Sequence, residues 1–599
     1  MSIGSGRHHP EAQTPYMLIP FRQSNILVKW CLICSLLPSI GCKTQADNPF
    51  KHGSGLTIQV NQQNIAALTA LGQLWVFLKY HHPAVASGRY NWDAELIREL
   101  PKVLAAKSKT EYLRELEKWV DLLPNPDTPG SGMLPENPAD IKLQSDYGDL
   151  FIPGYLPDPL SRKLKRLLDN TSITSNHYMG LEKGTGNPKI QNEDAYDEMG
   201  YPDDGFRLLA LYRYWGIVQY FFPYRHLIGE NWKNALPEFI PIFLNAKDAT
   251  DYLGACLRLA AKVHDSHAIV FKTGRTPDAF WGNYYPPFST KFIEGKLVVD
   301  QFYIKKEGIL RQVSRGDVIT HINGKPVAER IKAMIPFMPA SNYPTQLLII
   351  GTCILYGETD KLPLTLMHSE EHRTLEVPRY KKIHYTEPDP VGDLKEGGYK
   401  TIEENVGYIY SGKYKNSRLP DIKKAFKSTK GIIVDMRYPP SEPMPFTFGE
   451  YLKDKPSPFV TFTIADIRHP GRFSFAEILG NGKETSDYYN GKILVLVNEE
   501  TRSETEYTTM AFQSARNVTV MGSTTAGADG NVSKFYLPGG LATTISGIGV
   551  YYPDRTETQR TGVKIDIVVR PTLKGFRAGK DELLQKAIEL IKQQRTAHS

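Results

Sequence analysis

The C-terminal part of the sequence, residues 386–599, predicts an α/β fold. Short apolar runs typical of buried strands alternate there with segments of helical periodicity. Strands that alternate with helices form mostly parallel sheets covered by helices, so we expect this architecture for the core. The predicted strands are Asn405–Tyr410, Gly431–Met436, Lys492–Val497 and Val518–Gly522, and the closing helix is Lys580–Gln593.

Ser503 lies where one predicted strand gives way to a helix. The apolar run Ile493–Val497 precedes a polar turn, and helical periodicity covers Ser503–Ala515. A side chain at such a turn is held beside the first helical N–H groups, which stabilise negative charge. This placement suits a nucleophilic serine with an adjacent oxyanion hole. It also suits a simple N-cap, with Glu506 completing a capping box.

The residues around Ser503 resemble a known family. The run Ser503-Glu-Thr-Glu506 is similar to the S-x-S-E nucleophile motif of C-terminal processing and tricorn-core serine peptidases. The loop Gly522–Gly527 and the segment Thr561–Thr572 resemble the same family. The resemblance implies a crotonase/ClpP-like peptidase core, Ser503 as nucleophile, and hydrolysis of peptide bonds without a metal or organic cofactor.

The resemblance also indicates the general base. The processing branch of the family uses a lysine where this sequence has Ala528, and alanine cannot accept a proton. The run Asp265-Ser266-His267 instead resembles the motif of the tricorn-like branch. His267 is therefore implied as the general base that activates Ser503.

A charge relay behind His267 is implied in the same way. Ser266 corresponds to the relay serine of the tricorn-like branch, and an acidic residue completes the relay. Glu557 fits that acidic position, with Asp554 or Glu506 as substitutes. The alternative is that Glu557 is a solvated charge in a turn.

The predicted oxyanion hole departs from the family pattern. The segment Gly431–Arg437 resembles the family strand that ends in Asp-Leu-Arg-Gly-Asn, whose glycine N–H binds the oxyanion. Here Tyr438-Pro439-Pro440 follows the strand. Tyr438 keeps a backbone N–H, whereas Pro439 has none and biases Tyr438 toward extended backbone. We therefore expect the N–H groups of Tyr438 and Glu504 to form the hole.

Two N-terminal segments, 63–125 and 205–270, share residues at a constant offset of 140 positions. Apolar residues recur at helical spacing in both, so each is predicted to be a small helical unit of a duplicated region. A connection, 126–204, joins them. The matched residues are Trp75, Tyr80, Pro83, Asn91, Trp92, Tyr112 and Leu113, with Trp215, Tyr220, Pro223, Asn231, Trp232, Tyr252 and Leu253.

Residues 271–385 predict an inserted, β-rich domain. The run Leu310–Val327 alternates apolar residues and contains Asn323-Gly324, a strong hairpin turn. Its strand pair resembles that of a PDZ domain, a module that binds extended peptides at a sheet edge. The usual carboxylate-binding loop is not recognisable, so the domain is either a peptide binder or a scaffold for the mouth of the site.

The first 42 residues predict a targeting segment. An apolar run, Trp30–Ile40, is too short to span a bilayer and ends at Cys42, which resembles the lipidated cysteine of bacterial lipoproteins. An ordinary secretory signal is the alternative. Lipidation would anchor the chain to a membrane of the cell envelope through a tether, 43–62. The only cysteines that follow Cys42 are Cys256 and Cys353, and the sequence shows no disulfide framework or zinc motif.

Composition limits the remaining classes of function. Hydrophobic residues make up 41% of the 599 residues, which is ordinary for a globular protein. The net charge is only +7, and the sequence has no long run of Lys and Arg, so nucleic-acid binding has little support. The sequence thus predicts an exported serine peptidase that acts on peptides or proteins. Two alternatives stay open: a pseudopeptidase that only binds extended peptides, and a carbohydrate-processing lipoprotein. The oligomeric state is not predicted.

Overall fold

A computed structural model of the protein describes residues 49–125, 138–170, 173, 175–272, 280–303, 308, 311–368, 371–381 and 394–593. The predicted targeting segment 1–42, with Cys42, lies outside the described residues. None of the helices in the described ranges combines the length and the apolar character that crossing a bilayer requires.

The core of the C-terminal part is a six-stranded sheet. Its first strand is antiparallel to the second, and all later neighbours are parallel. Every predicted core strand is present within one residue of its predicted bounds. In order across the sheet, the strands are Tyr399–Ile402, Val406–Tyr410, Gly431–Asp435, Lys492–Val497, Val518–Gly522 and Ile567–Val568.

Helices cover both faces of this sheet. Ile432 and Val434 point to the layer that contains Phe512, whereas Ile433 points to the opposite layer with Ile591. Each such buried side chain contributes about 1.5–3 kcal/mol. A strand buried on both faces carries an unbroken apolar run, which is why the sequence predicted these strands well. The helices are Leu419–Phe426, Phe448–Tyr451, Glu504–Gln513, Leu573–Arg577 and Glu582–Lys592.

Two further sheets surround the core. One contains Ile141–Leu143, Phe473–Phe475, Ser457–Ala465, Leu479–Asn481 and Gly549–Tyr551. The other has the order Val532–Leu537, Leu541–Ser546, Val270–Lys272, all antiparallel. The strand Val270–Lys272 of this small sheet begins shortly after His267 and pairs with Leu541–Ser546. The sheet therefore connects the segment that contains His267 to the C-terminal part.

The two N-terminal segments are helical, as predicted. In both, two tryptophans seventeen residues apart exchange hydrogen bonds, because each indole N–H donates to the main-chain carbonyl of the other. The distances are 2.9 and 3.0 Å between Trp75 and Trp92, and 3.1 and 3.0 Å between Trp215 and Trp232. The helices are Gln62–His81, Pro83–Ala86, Trp92–Leu104 and Lys109–Asp121, then Asp204–Phe221, Ala235–Leu244 and Ala249–Ala261.

The segment between the two helical parts is more structured than a simple connection. It contains the helix Asp158–Asn170 and the antiparallel pair Met179–Leu181 and Pro188–Ile190.

Residues 280–381 form a β-rich unit with its own core. The predicted hairpin is present: Val318–Ile322 and Lys325–Pro326 are antiparallel, and Asn323 and Gly324 both have positive φ, 49° and 75°. Such a pair of left-handed residues defines the turn that suits a two-residue hairpin loop. The other strands are Phe288–Ile293, Lys296–Phe302, Lys361–His368 and Glu371–Pro378, and the helices are Val327–Met334 and Tyr343–Cys353.

Candidate active site

Ser503 adopts a strained backbone conformation between the strand Lys492–Val497 and the helix Glu504–Gln513. Its φ and ψ are 57° and −126°, which is rare for a residue with a side chain. An N-cap residue has extended backbone, and its side chain accepts a hydrogen bond from the helix. Ser503 does neither. The Ser503 hydroxyl therefore does not cap the helix, as the capping-box interpretation would require.

The surrounding loops hold this turn in place. The N–H of Ser503 donates to Ala528 O at 2.9 Å, and the N–H of Ala526 donates to Thr501 O at 2.9 Å. Where the loop begins, Gly522 has a φ of 141°, and a Cβ there would lie 1.8 Å from Val497 O. Only glycine fits this close approach, so the glycine-rich loop is locked against the turn that carries Ser503.

Glu506 belongs to this support. Its buried carboxylate accepts hydrogen bonds from the N–H groups of Gly527 at 2.9 Å and Ala528 at 3.0 Å. Burial raises the pKa of Glu506, although these hydrogen bonds act in the opposite direction. Burial also raises the pKa of the neighbouring Asp529, and the charge of Glu506 adds to that effect. Glu506 therefore braces the loop rather than serving His267.

Two backbone donors are available: one directly follows Ser503, and the other follows the strand Gly431–Asp435, which pairs with Lys492–Val497. Within the described part of the chain, the N–H groups of Glu504 and Tyr438 donate to no acceptor. The Tyr438 carbonyl accepts a hydrogen bond of 2.6 Å from Ser411 Oγ, which fixes the peptide despite the following Pro439. Free N–H groups at the start of a helix and beside it are the elements of an oxyanion hole.

His267 is buried and oriented by a hydrogen bond to a residue that the sequence did not single out. Its Nδ1 lies 2.9 Å from Ser546 Oγ, and Ser546 Oγ donates to Asp265 Oδ1 at 2.9 Å. Burial lowers the pKa of His267 to about 4; Asp265 opposes this effect, and Arg502 adds to it. The imidazole is therefore neutral at pH 7, as a general base requires.

Asp265 is a buried carboxylate with four hydrogen bonds. Besides the Ser546 hydroxyl, its donors are the N–H of Ser546 at 2.7 Å, the N–H of His267 at 3.1 Å and Gln559 Nε2 at 3.2 Å. These bonds fasten the turn that carries His267 to the strand Leu541–Ser546.

Ser266 does not contact the imidazole in the structure. Its Oγ donates to Ala526 O at 3.3 Å and accepts a hydrogen bond of 2.8 Å from the N–H of Ser341. Consecutive residues in a turn point in different directions, so Ser266 reaches the glycine-rich loop while His267 reaches Ser546. Ser266 thus links the histidine turn to the loop behind Ser503.

Glu557 forms ion pairs with residues other than His267. Its carboxylate is 2.6 Å from His226 Nε2 and 2.6 Å from Lys142 Nζ, and His267 is not among its described contacts. Burial opposes ionisation, but these two partners outweigh it and lower the pKa of Glu557 to about 2. The relay that the sequence suggested, through Ser266 and Glu557, does not correspond to these contacts.

Ser503 and His267 are brought to the same region without a direct hydrogen bond in the described part of the chain. Arg502 Nη1 lies 3.5 Å from Ser266 O, so the residues that directly precede Ser503 and His267 are neighbours. Hydrogen bonds between a nucleophile and its base are often long before substrate binds. The described residues contain no group of three His, Cys, Asp or Glu side chains arranged for a metal, and Cys256 and Cys353 are buried.

Part of the chain is similar to known proteins. Residues 405–569 match the model of peptidase family S41. Two solved structures of mature CPAF, one complexed with lactacystin, have TM-scores of 0.52 and 0.51 at 13% identity, covering 65% of this chain and 98% and 97% of theirs. The photosystem II D1 C-terminal processing protease has a TM-score of 0.36 at 15% identity, with coverage of 63% and 98%. No curated protein sequence matches the chain.

The CPAF structures show that the fold is shared, and the family match covers the strand, turn and helix that carry Ser503. The class of protein is therefore a serine-type peptidase. Residues 405–569 belong to peptidase family S41.

Proposed function

We propose that the protein hydrolyses peptide bonds with Ser503 as nucleophile and His267 as general base. His267 takes the proton of Ser503 Oγ as that oxygen attacks the peptide carbonyl, and returns it to the leaving amine. The N–H groups of Glu504 and Tyr438 bind the oxyanion of the tetrahedral intermediate. His267 then takes a proton from water, which attacks the acyl-enzyme. The proton returns to Ser503 Oγ as the carboxylic acid product is released.

The strained backbone of Ser503 carries this proposal. A residue costs about 1–3 kcal/mol in such a conformation, which persists only where the surrounding structure enforces it. Ser503 gains no capping hydrogen bond in return. This conformation is the one expected of a nucleophile whose side chain is held toward the substrate, next to backbone N–H donors that have no acceptor.

The test is covalent labelling of the folded chain with a fluorophosphonate probe. The wild-type protein should be labelled, and Ser503→Ala should not be. His267→Ala should be labelled about 10²–10⁴-fold more slowly, because a positioned base contributes that much. Ser514→Ala, at the far end of the same helix, is the matched control and should be labelled at the wild-type rate. Undiminished labelling of Ser503→Ala would show that another residue is the nucleophile.

A second candidate is a pseudopeptidase that binds extended peptides without cleaving them. It is favoured by the lack of a described hydrogen bond between Ser503 and His267, and by Pro439 directly after a proposed oxyanion donor. A folded wild-type protein that resists the probe but binds peptides with the same affinity as Ser503→Ala would establish this function.

The proposal includes the accessory regions. Equal offsets and matching tryptophan pairs support a duplication of the helical segments 63–125 and 205–270. An antiparallel sheet with a two-residue hairpin supports a PDZ-like domain in residues 271–385.

Export and lipidation at Cys42 rest on the sequence alone. In a bacterial host, the wild type should incorporate a labelled fatty acid, whereas Cys42→Ala should not; incorporation into both would contradict lipidation there.

A further inference from the structure

We propose that Asp265 and Ser546 are the positioning residues of His267, in place of the Ser266–Glu557 relay that the sequence suggested. This inference rests on the proposed function, because it concerns how the general base of Ser503 is held. It assigns a role to Ser546 and a new role to Asp265.

The direction of the hydrogen bonds fixes the tautomer of the imidazole. The Asp265 carboxylate only accepts, so the Ser546 hydroxyl donates its single proton to Asp265. Ser546 Oγ can then only accept from His267 Nδ1, 2.9 Å away. His267 therefore carries its proton on Nδ1, which leaves the lone pair on Nε2 to accept the proton of Ser503.

Burial gives this chain of bonds its strength. Asp265 and Ser546 are fully shielded from water, and in a poorly solvated interior a charge acts over several ångströms with little screening. Among the described residues, no cation forms an ion pair with Asp265. Its charge is therefore available for the imidazolium that forms when His267 takes the proton from Ser503 Oγ. The protons on Nδ1 and on Ser546 stay in place throughout.

The main chain keeps these residues in register. The strand Val270–Lys272 follows His267 and pairs with Leu541–Ser546, with Val270 opposite Thr543. The Ser546 N–H also donates to Asp265 Oδ2 at 2.7 Å. Asp265 is thus bound to both the backbone and the side chain of Ser546. An acceptor held in this way keeps the ring orientation without needing a further carboxylate.

Glu557 is committed elsewhere. Two partners, His226 and Lys142, each lie 2.6 Å from its Oε1, so its charge is already compensated. A carboxylate paired twice is a poor counter-ion for an imidazolium at another position.

The decisive experiment measures the rate of fluorophosphonate labelling against pH for full-length Asp265→Asn and Ser546→Ala, with thermal melting to confirm folding. Both changes should slow labelling by about tenfold or more at pH 7, within the range that positioned proton transfer supplies. In Asp265→Asn the acidic limb should also move to lower pH, because Asp265 raises the pKa of His267, while Arg502 is the other charged group that acts on it.

Ser533→Ala is the matched control. Ser533 is a buried serine in the neighbouring strand of the same sheet, and its hydroxyl donates to Pro188 O. Ser533→Ala should melt earlier than the wild type, as we also expect for Ser546→Ala, but it should keep the wild-type labelling rate and acidic limb. The proposal is overturned if folded Asp265→Asn and Ser546→Ala keep the wild-type rate and limb, or if Glu557→Gln alone moves the limb. Ser503→Ala distinguishes failure of this proposal from failure of the proposed function, because undiminished labelling of that variant would refute the proposed function itself.

Discussion

The two N-terminal helical segments are built alike and end differently. Both contain a buried tryptophan pair joined by reciprocal hydrogen bonds, and the helices Lys109–Asp121 and Ala249–Ala261 coincide after a shift of 140 residues. The first segment ends at the solvent, where Leu122 is 75% exposed. The second continues into the turn that carries His267. Similar helical units can therefore differ in use: one only packs, whereas the other also positions the proposed general base.

Residues that differ between the segments also join them. Arg213 of the second segment corresponds to Gln73 of the first, and it forms a buried ion pair of 2.8 Å with Asp93 of the first segment. A second carboxylate, Glu193, lies 2.8 Å from the same guanidinium. The difference between Gln73 and Arg213 thus supplies one of the contacts between the segments.

The largest expected effect comes from breaking that junction. Arg213→Gln, which introduces the residue of the first segment, should lower the free energy of unfolding by about 3–5 kcal/mol. It leaves two buried carboxylates, Asp93 and Glu193, to share Lys79 as the one cation that pairs with them in the described part of the chain. Urea denaturation at pH 7 measures this loss. The control Arg98→Gln removes an exposed arginine and should cost less than about 0.5 kcal/mol. Equal effects of the two changes would show that the junction is not important for stability.

Acid should affect the segments unequally, because His81 of the first corresponds to Phe221 of the second. Burial lowers the pKa of His81 from 6.5 to about 4. Between these values the unfolded chain binds a proton that the folded chain does not, so stability falls as the pH decreases. The full interval corresponds to about 3 kcal/mol.

His81→Phe should therefore make the free energy of unfolding less dependent on pH between 6.5 and 4. Urea denaturation at several pH values tests this. Phe221→Leu is the control, because it alters the matched position without changing a titratable group. An unchanged slope in His81→Phe would mean that His81 is protonated in the folded protein as readily as in the unfolded chain.

The tryptophan pairs should show the likeness of the segments. Trp75→Phe and Trp215→Phe each remove one indole donor, so the carbonyl of Trp92 or Trp232 loses one hydrogen bond. Each should cost about 1–3 kcal/mol, and the two costs should agree within that range. Thermal and urea denaturation provide the comparison. A change that is costly in one segment and neutral in the other would argue against equivalent packing.

The smallest effect concerns the end of the second segment. Arg502 lowers the pKa of His267, so Arg502→Gln should move the acidic limb of probe labelling to higher pH, by up to about one pH unit. Arg516→Gln, which removes an exposed arginine at the far end of the nucleophile helix, is the control and should leave the limb in place. A limb that moves to lower pH in Arg502→Gln would contradict this account of the charges around His267.

The sequence predicted those parts of the fold that local patterns encode. The core strands appear where their apolar runs predicted them, since residues buried on both faces must be apolar whatever their neighbours. The hairpin at Asn323-Gly324 follows from the left-handed backbone that these residues accept. Ser503 could be singled out because a serine at a strand-to-helix turn is a local feature. Its positive φ, which distinguishes it from an ordinary N-cap residue, could not be predicted from sequence.

By itself, the sequence thus determined the α/β core, the helical segments, the place of Ser503 and the histidine turn at Asp265–His267. Only the tertiary structure decided which residues surround His267. Ser546 is 279 positions away from it, and nothing in its neighbourhood marks it as special. Glu557, which fits the relay by its position in the chain, contacts His226, 331 positions away. Hydrogen-bond partners of a buried side chain are set by how strands pair, and pairing over such distances leaves no local signal in the sequence.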